Sequence, residues 1–209
     1  MFNIIVVGAG GFGREVYQWS KVSFSPEEYQ IKGFLDDNEN ALDQKGIDLP
    51  ILGGIIKHSK EYQIQVNDRF IIGIGDLSIK KTLIKALEQR GARFISLIHP
   101  TAVVSETAKL GRGVVICPFA TISDHVTLDD YAMVNFYASC GHDSRVGKYS
   151  ILSPYATLNG HAIIENEVFM ATHSTVTINC RIGARTKINA NSVAMKSCPE
   201  GSFIYGVPG

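Results

Sequence analysis

Residues 104–193 repeat with a period of six. The stretch reads VSETAK, LGRGVV, ICPFAT, ISDHVT, LDDYAM, VNFYAS, CGHDSR, VGKYSI, LSPYAT, LNGHAI, IENEVF, MATHST, VTINCR, IGARTK, INANSV. The first place of every hexad is aliphatic, Met or Cys, and the fifth is nearly always small or β-branched. A helix repeats near 3.6 residues and a flat strand at 2, so neither produces a period of 6. A coil with three flat faces does: each hexad makes one face, three make a turn of 18 residues, and successive turns stack as a parallel β-helix. Fifteen hexads predict five coils, a prism about 24 Å long at the strand spacing of roughly 4.8 Å. The first-place residues then form three interior columns: Val104, Ile122, Cys140, Leu158, Val176; Leu110, Leu128, Val146, Ile164, Ile182; and Ile116, Val134, Leu152, Met170, Ile188. The fifth place turns inward near a corner, where a large side chain does not fit.

Charge and cysteine content narrow the function classes. Twenty basic and twenty acidic residues give a formal net charge of zero, which argues against broad attraction to nucleic acid or to an anionic membrane. The four cysteines, at 117, 140, 180 and 198, show no CxxC spacing. Cys140 and Cys180 fall on inward places, so buried thiols are expected rather than a disulfide or a metal site. The opening MFNIIVVGAGGFG lacks the features of a signal peptide, and no 18-residue apolar run exists. No membrane insertion and a cytoplasmic setting are expected.

Residues 1–97 read as a separate α/β domain ahead of the repeat domain at 98–209. Asn3 to Val7 is an apolar strand that runs into Gly8-Ala9-Gly10-Gly11-Phe12-Gly13, with a helix following through Trp19. A strand, glycine turn and helix in that order offer backbone N–H groups to a phosphate. Gly8 and Gly10 are expected to permit close approach of a ligand, and Gly13 to let helix and strand pack. A second strand, Gln30 to Leu35, ends at Asp36-Asp37, where an acid commonly takes a ribose hydroxyl. Extended chain follows at Pro50 to Gly54, a short helix at Ile55 to Tyr62, and a strand at Arg69 to Ile74 that ends in Gly75-Asp76. Ser78 is the expected N-cap of a helix through Gln89, with Gly91 as its stop. Ala92 to Ile98 is a last strand. The βαβαβ pattern predicts a small Rossmann-like parallel sheet. It is too short for a full dinucleotide fold, so a mononucleotide or a nucleotide-sugar suits it better than NAD.

Both halves resemble the sugar O- and N-acyltransferases of the left-handed β-helix, hexapeptide-repeat superfamily. That family includes sialic acid O-acetyltransferases and enzymes that acetylate 4-amino groups on nucleotide-linked sugars. The resemblance rests on VVGAGGFGREV, FLDD and IGIGD in the first domain, LIHPTAVVS at the junction and GHDSRVGKYSILSPYATLNG in the repeat. It implies a left-handed coil, a homotrimer with active sites between subunits, and acetyl-CoA as co-substrate with no metal. It further implies transfer of acetyl to the amino group of a nucleotide-linked amino sugar. O-acetylation of sialic acid or a related sugar is the alternative within the class, and a non-catalytic scaffold that binds a nucleotide-sugar is the alternative outside it. Carried over by position, the resemblance makes His142 the catalytic base, Asp143 its acidic neighbour and Gly160 the amide near the thioester carbonyl. The sugar-nucleotide would lie on Gly8, Gly10, Gly11, Phe12 and Gly13, with Asp36, Asp37, Gly75 and Asp76 close by. Ala171, Thr172, His173, Ile178 and Lys187, with Gly160, would line the coenzyme path. Three places depart from the family pattern: Ile151, where many members have a second histidine; His173, where they often have small residues; and the tail Tyr205-Gly206-Val207-Pro208-Gly209, where Pro208 fits the family's Gly-x-Pro-Ala-Lys but the residue after it does not.

The repeat supports His142 independently. It holds the third place of CGHDSR, so it faces outward, with Asp124 and Gly160 one coil to either side. A histidine beside a glycine leaves room for a thioester. His125 and His161 flank Asp143 one place along from His142; such a cluster could hold a metal, but polar pairing on a separate surface strip or at a subunit contact is the expectation. Tyr131, Phe136, Tyr137 and Tyr155 are expected to face outward as an apolar interface.

Overall fold

The computed structural model describes residues 1–56 and 62–209. They form two compact units, Met1–Ile95 and Ser96–Gly209.

The first unit contains β1 (Phe2–Val7), α1 (Gly11–Ser23), β2 (Tyr29–Leu35), β3 (Ile51–Gly53), β4 (Asp68–Ile72) and α2 (Leu77–Gln89). Its strands pair in parallel in the order β3-β2-β1-β4. With a neighbour on each edge, β1 reads as an unbroken apolar run, and Ile4, Ile5, Val6 and Val7 are fully buried. Burial of each such side chain contributes roughly 1.5–3 kcal/mol relative to exposure. Helix α1 buries Val16, Tyr17 and Ser20, and α2 buries Leu83, Ile84 and Leu87. One buried polar network ties the edge of this sheet together. The Asp68 carboxylate accepts from Asn3 Nδ2 (3.0 Å), the Tyr62 hydroxyl (2.7 Å) and the Gln65 N–H (2.7 Å), and Lys32 Nζ donates to the Tyr62 oxygen at 2.6 Å.

Several local expectations change. Asp76, not Ser78, caps α2: its carboxylate accepts from the Ile79 N–H at 2.8 Å, because the helix starts one residue earlier than the serine. The strand expected over Ala92–Ile98 is split. Phe94 makes a single bridge to Phe70, while β5 (Leu97–Ile98) pairs with Val115–Ile116 of the coil. The first sheet therefore has four strands, and no helix is seen between β2 and β3 among the described residues. The short helix expected at Ile55–Tyr62 lies largely outside the described residues, as does His58. Ile55 and Ile56 form a bend.

The second unit is the coil. Its three parallel sheets hold five, seven and six strands. The predicted columns pair in register, for example Val134 with Ile116 and Leu152, and Cys140 with Ile122 and Leu158. These residues form one core, with Ala120, Val126, Ala132, Ala138 and Ala156 of the fifth places among them. Burial pushes the Cys140 thiol up to about 12, so it stays protonated. The coil is longer than the repeat implies. Leu97–Ile98 adds a strand before the first hexad, and Phe203–Ile204 adds one after the last, paired with Lys187–Ile188.

The corners share one backbone device. The fourth place of each hexad from Phe119 to Asn191 is left-handed, with φ between 53° and 64°. Only Gly113 among these equivalent places is glycine. The left-handed region costs a side-chain-bearing residue about 1–2 kcal/mol. A hydrogen bond across coils offsets it: from Tyr131 onward the fourth-place N–H donates to the third-place carbonyl one coil earlier, as in Asp143 to Asp124 (2.9 Å), Tyr149 to Asp130 (3.1 Å) and His161 to His142 (2.9 Å), while Phe119 and His125 donate to the hydroxyls of Thr101 and Thr107. Fourth-place side chains on one corner consequently stack. Phe119, Tyr137, Tyr155 and His173 make a ladder with ring centroids 5.1, 5.0 and 4.6 Å apart. On another corner Tyr131 stacks on Tyr149 at 5.4 Å. Tyr131 was expected outside but is buried, beneath the cations of Arg112 and Lys148. Phe119, Tyr137 and Tyr155 are exposed.

Candidate active site

The third corner carries the candidate chemistry. Its third places are Asp124, His142, Gly160 and Ile178, and its fourth places are His125, Asp143, His161 and Asn179. His142 Nδ1 lies 2.9 Å from Asp143 Oδ2. An ionised carboxylate can only accept, so this bond places the imidazole proton on Nδ1 and leaves a lone pair on Nε2. The hydrogen bond from His142, with the nearby His161 and His125, holds the Asp143 carboxyl below the usual carboxylate range. The ring lies against Gly160. A methyl group on that residue would stand 2.7 Å from His142 Nε2 and 2.8 Å from Cε1. Glycine at 160 is thus what admits the ring in this position. Among the described residues the Gly160 N–H donates to no backbone carbonyl.

His161 belongs to this group, contrary to the separate strip read from the sequence. Its Nε2 is 3.8 Å from Asp143 Oδ2, and its ring meets the His142 ring edge-on at 5.0 Å. Two histidines therefore share one carboxylate. Residues 142 and 161 are 19 apart, not 18, and the left-handed fourth place turns the later side chain back toward the third place of the coil before it. His125 is different, for its imidazole pairs with Asp124 at 3.7 Å.

The coenzyme candidates divide. Ile178 sits one coil beyond Gly160 on the His142 corner and is exposed. Ala171, Thr172 and His173 lie on the aromatic-ladder corner, with His173 stacked on Tyr155. Lys187 lies on the seven-stranded sheet, paired with Phe169 and Phe203. Within one chain Ala171, Thr172, His173 and Lys187 do not converge with His142, whereas Ile178 shares its corner. Ile151, at the position where a second histidine was considered, is buried between Met133 and Phe169.

In the first unit the glycine turn serves two purposes. Gly8, at φ +97°, packs against Ile74, and Gly13 packs against the Gly8 carbonyl, so a side chain at either would collide. Gly8 thus has a packing role where an opening for a ligand was expected. Gly10 and Gly11 face open space, as does Gly75. Gly10 is the N-cap of α1 without a side-chain cap, so the helix presents its first N–H groups there. Phe12 meets Trp19 edge-on at 5.7 Å. The acids have backbone partners already: Asp36 Oδ2 accepts from the Ala9 N–H at 2.7 Å and Oδ1 from Asn38, while Asp37 Oδ1 accepts from Ile55 and Ile56. Asp36 therefore braces the glycine turn itself. Arg14, which motif reading passed over, donates to the Ala9 carbonyl at 3.1 Å and lines a surface cleft with Gly11, Glu15, Gln18 and Lys45.

The repeat, the interior columns and the α/β unit ahead of them define a hexapeptide-repeat β-helix fold joined to an α/β domain, and the chain is similar to nucleotide-sugar N-acetyltransferases. Residues 3–87 match the PglD N-terminal domain family. The chain is 26% identical over 143 residues to GDP-perosamine N-acetyltransferase of Escherichia coli O157:H7, across 66% of this chain and 61% of the relative. It is 31% identical over 117 residues to UDP-N-acetylbacillosamine N-acetyltransferase of Bacillus subtilis (strain 168), across 56% of this chain and 51% of the relative. The matches thus span about half to three fifths of these relatives' length. Among solved structures, the acetyltransferase domain of PglB from Neisseria gonorrhoeae FA1090 aligns with TM-score 0.85 at 25% identity, covering 100% of this chain and 98% of that one. PerB from Caulobacter crescentus, solved with CoA and GDP-perosamine, aligns with TM-score 0.84 at 24% identity, covering 100% and 96%. The fold is common to this chain and these two structures. No helix among the described residues is long and apolar enough to cross a membrane.

Proposed function

We propose that this chain transfers the acetyl group of acetyl-CoA to the amino group of a nucleotide-linked amino sugar, with His142 as general base. The observation that carries the reading is the His142 geometry: Nδ1 tied to Asp143 at 2.9 Å, and Nε2 held against the one residue type that leaves space beside the ring. The relatives named for acetylating GDP-perosamine and UDP-N-acetylbacillosamine support the substrate class, and the CoA and GDP-perosamine in PerB support the pair of substrates.

In this mechanism the acceptor amine attacks the thioester carbonyl while Nε2 takes its proton. Charge that develops on the carbonyl oxygen is stabilised by the Gly160 N–H. The tetrahedral intermediate collapses with loss of the CoA sulfur, which takes up a proton and leaves as the thiol. Asp143 holds the working tautomer and stabilises the imidazolium formed during attack. The nucleotide part of the acceptor is assigned to the open face at Gly10 and Gly11, with Arg14 beside it. The working assembly is a homotrimer whose coenzyme groove is shared between neighbours. Its support is that Ala171, Thr172 and His173 lie on a different corner from His142, so a second copy is needed to bring such residues to the base.

A thiol-release assay with acetyl-CoA across UDP-, dTDP-, GDP- and CMP-linked sugars tests the reaction. Turnover is expected with one or more amino sugars. Turnover only with a hydroxyl acceptor would transfer the assignment to O-acetylation, and none with any acceptor would leave a binding scaffold. Sedimentation tests the assembly: a fully active monomer at micromolar concentration would end the shared-groove reading.

A further inference from the structure

We propose that His142, Asp143 and His161 form a binding site for a first-row divalent ion, zinc above all, and that filling it switches the His142 base off. The three side chains can each offer one ligand atom, and these atoms lie within 4.8 Å of one another. Asp143 Oδ2 is 2.9 Å from His142 Nδ1 and 3.8 Å from His161 Nε2. In a tetrahedral zinc site, with metal–ligand bonds of about 2.0–2.1 Å, neighbouring ligand atoms stand about 3.4 Å apart. The widest gap must therefore close by no more than about 1.4 Å, within reach of side-chain rotation at three exposed residues. The backbone beneath them is fixed by the 2.9 Å hydrogen bond from the His161 N–H to the His142 carbonyl. Two imidazoles and one carboxylate make a borderline-soft donor set suited to zinc, cobalt, nickel or copper. Magnesium and calcium prefer oxygen ligands alone. Three protein ligands leave the fourth position to water.

The consequence for the base follows from proton bookkeeping on one ring. A neutral imidazole carries one proton. With Asp143 accepting from Nδ1–H, the lone pair is on Nε2, the nitrogen beside Gly160. A metal on Nδ1 takes that nitrogen's lone pair, so the proton moves through solvent to Nε2. Nε2–H cannot accept a proton from an amine. Metal and working tautomer thus compete for the same nitrogen, and the ion acts as a reversible inhibitor, not as a cofactor. Metal binding stands on the side chains alone, whereas its effect on turnover rests on the function proposed above.

The test uses the full chain, stripped with a chelator and titrated with Zn2+ by calorimetry and with Co2+ by its visible absorption. One ion per chain and a tetrahedral Co2+ spectrum are expected, with no heat from Mg2+. His161→Asn and Asp143→Asn should each weaken Zn2+ binding at least about tenfold, while His125→Asn should bind as the parent does. Thermal melts confirm that each variant is folded. Nitrogen-detected NMR of the His142 ring should show the proton on Nδ1 without metal and on Nε2 with it. Undiminished binding in a folded His161→Asn chain, loss of binding in His125→Asn, or no saturation at millimolar Zn2+ would each overturn the site. A ring proton that stays on Nδ1 with zinc bound would overturn the switch. Because binding is read without turnover, an acceptor panel that yields no acetylation would defeat the function and leave the metal site standing.

Discussion

Replacing Gly160 by alanine should separate catalysis from stability. The added carbon would lie 2.7 Å from His142 Nε2, 2.8 Å from Cε1 and 3.3 Å from Cδ2. To restore an ordinary contact of about 3.5 Å, the imidazole must retreat by about 0.8 Å. The ring is the free end of an exposed side chain, so the retreat is cheap for the fold. Gly160 is not among the positive-φ positions, so alanine suits its backbone, and the loss of unfolded-state freedom adds about 0.4–1 kcal/mol of stability. For the reaction the same retreat is large. A misplacement of about 1 Å at a reacting group costs about 10²-fold, equivalent to roughly 2.7 kcal/mol of barrier. The expectation is therefore a kcat about 100-fold lower in the thiol-release assay, with a Tm unchanged or slightly higher. If kcat stayed within about threefold of the parent, the position of Nε2 against Gly160 would not matter, and His142 would lose its support as base. A fall in Tm would refute the claim that only a free ring end has to move.

Further expectations follow from other parts of the chain. His142→Asn should lower turnover by about 10²- to 10⁴-fold with little change in acetyl-CoA affinity by calorimetry. Leu152→Ala, in an interior column between Val134 and Met170, should cost about 2–5 kcal/mol in urea unfolding. Burial pushes the Asp68 carboxyl up, but the Gln65 N–H, the Tyr62 hydroxyl, the Asn3 amide and Lys32 together hold it below its ordinary 3.8. It therefore adds stability above that pH and loses it as pH falls through the lower folded value. Lys32 is raised above 10.5, chiefly by its hydrogen bond to Tyr62, so its contribution is present below 10.5 and is lost as pH climbs through the higher folded value. Thermal melts should accordingly decline at both extremes, and Asp68→Asn should flatten the acidic side while lowering stability by about 1–3 kcal/mol at pH 7.

The coil was legible because its interior is too narrow for variety. A side chain at the first place must fill a shared column, so Ile116, Val134, Leu152, Met170 and Ile188 announce the period by chemistry alone. The fourth place carries no such signal. It holds Phe, His, Tyr, Asp, Glu, Asn and Arg in turn, since what it must satisfy is a backbone angle and not a volume. Missing that angle meant missing the return of His161 toward Asp143, and it also hid the stacking that buries Tyr131. The α/β unit was legible where apolar runs are long, as in β1. It was less legible where one polar side chain can have two partners: Asp76, read as a ligand acid, also caps α2, and Asp36, read as a ribose acid, also accepts from the Ala9 N–H. A motif names the residue type, whereas only the fold says which partner reaches it first.

The left-handed fourth place recurs along the prism from Phe119 to Asn191 in one conformation. The same backbone angle is therefore kept under many different corner residues. A third-place and fourth-place pair such as His142 and Asp143 occupies an address, defined by one corner and one rung, and every rung of that corner offers an equivalent address. Moving the pair by one turn changes only surface letters, provided a glycine follows 18 residues later to admit the ring. The position of such a pair along the prism can thus change in steps of one strand spacing, about 4.8 Å, with the interior columns unchanged. A protein built this way can transpose a pair of corner residues along its length as along a ruler.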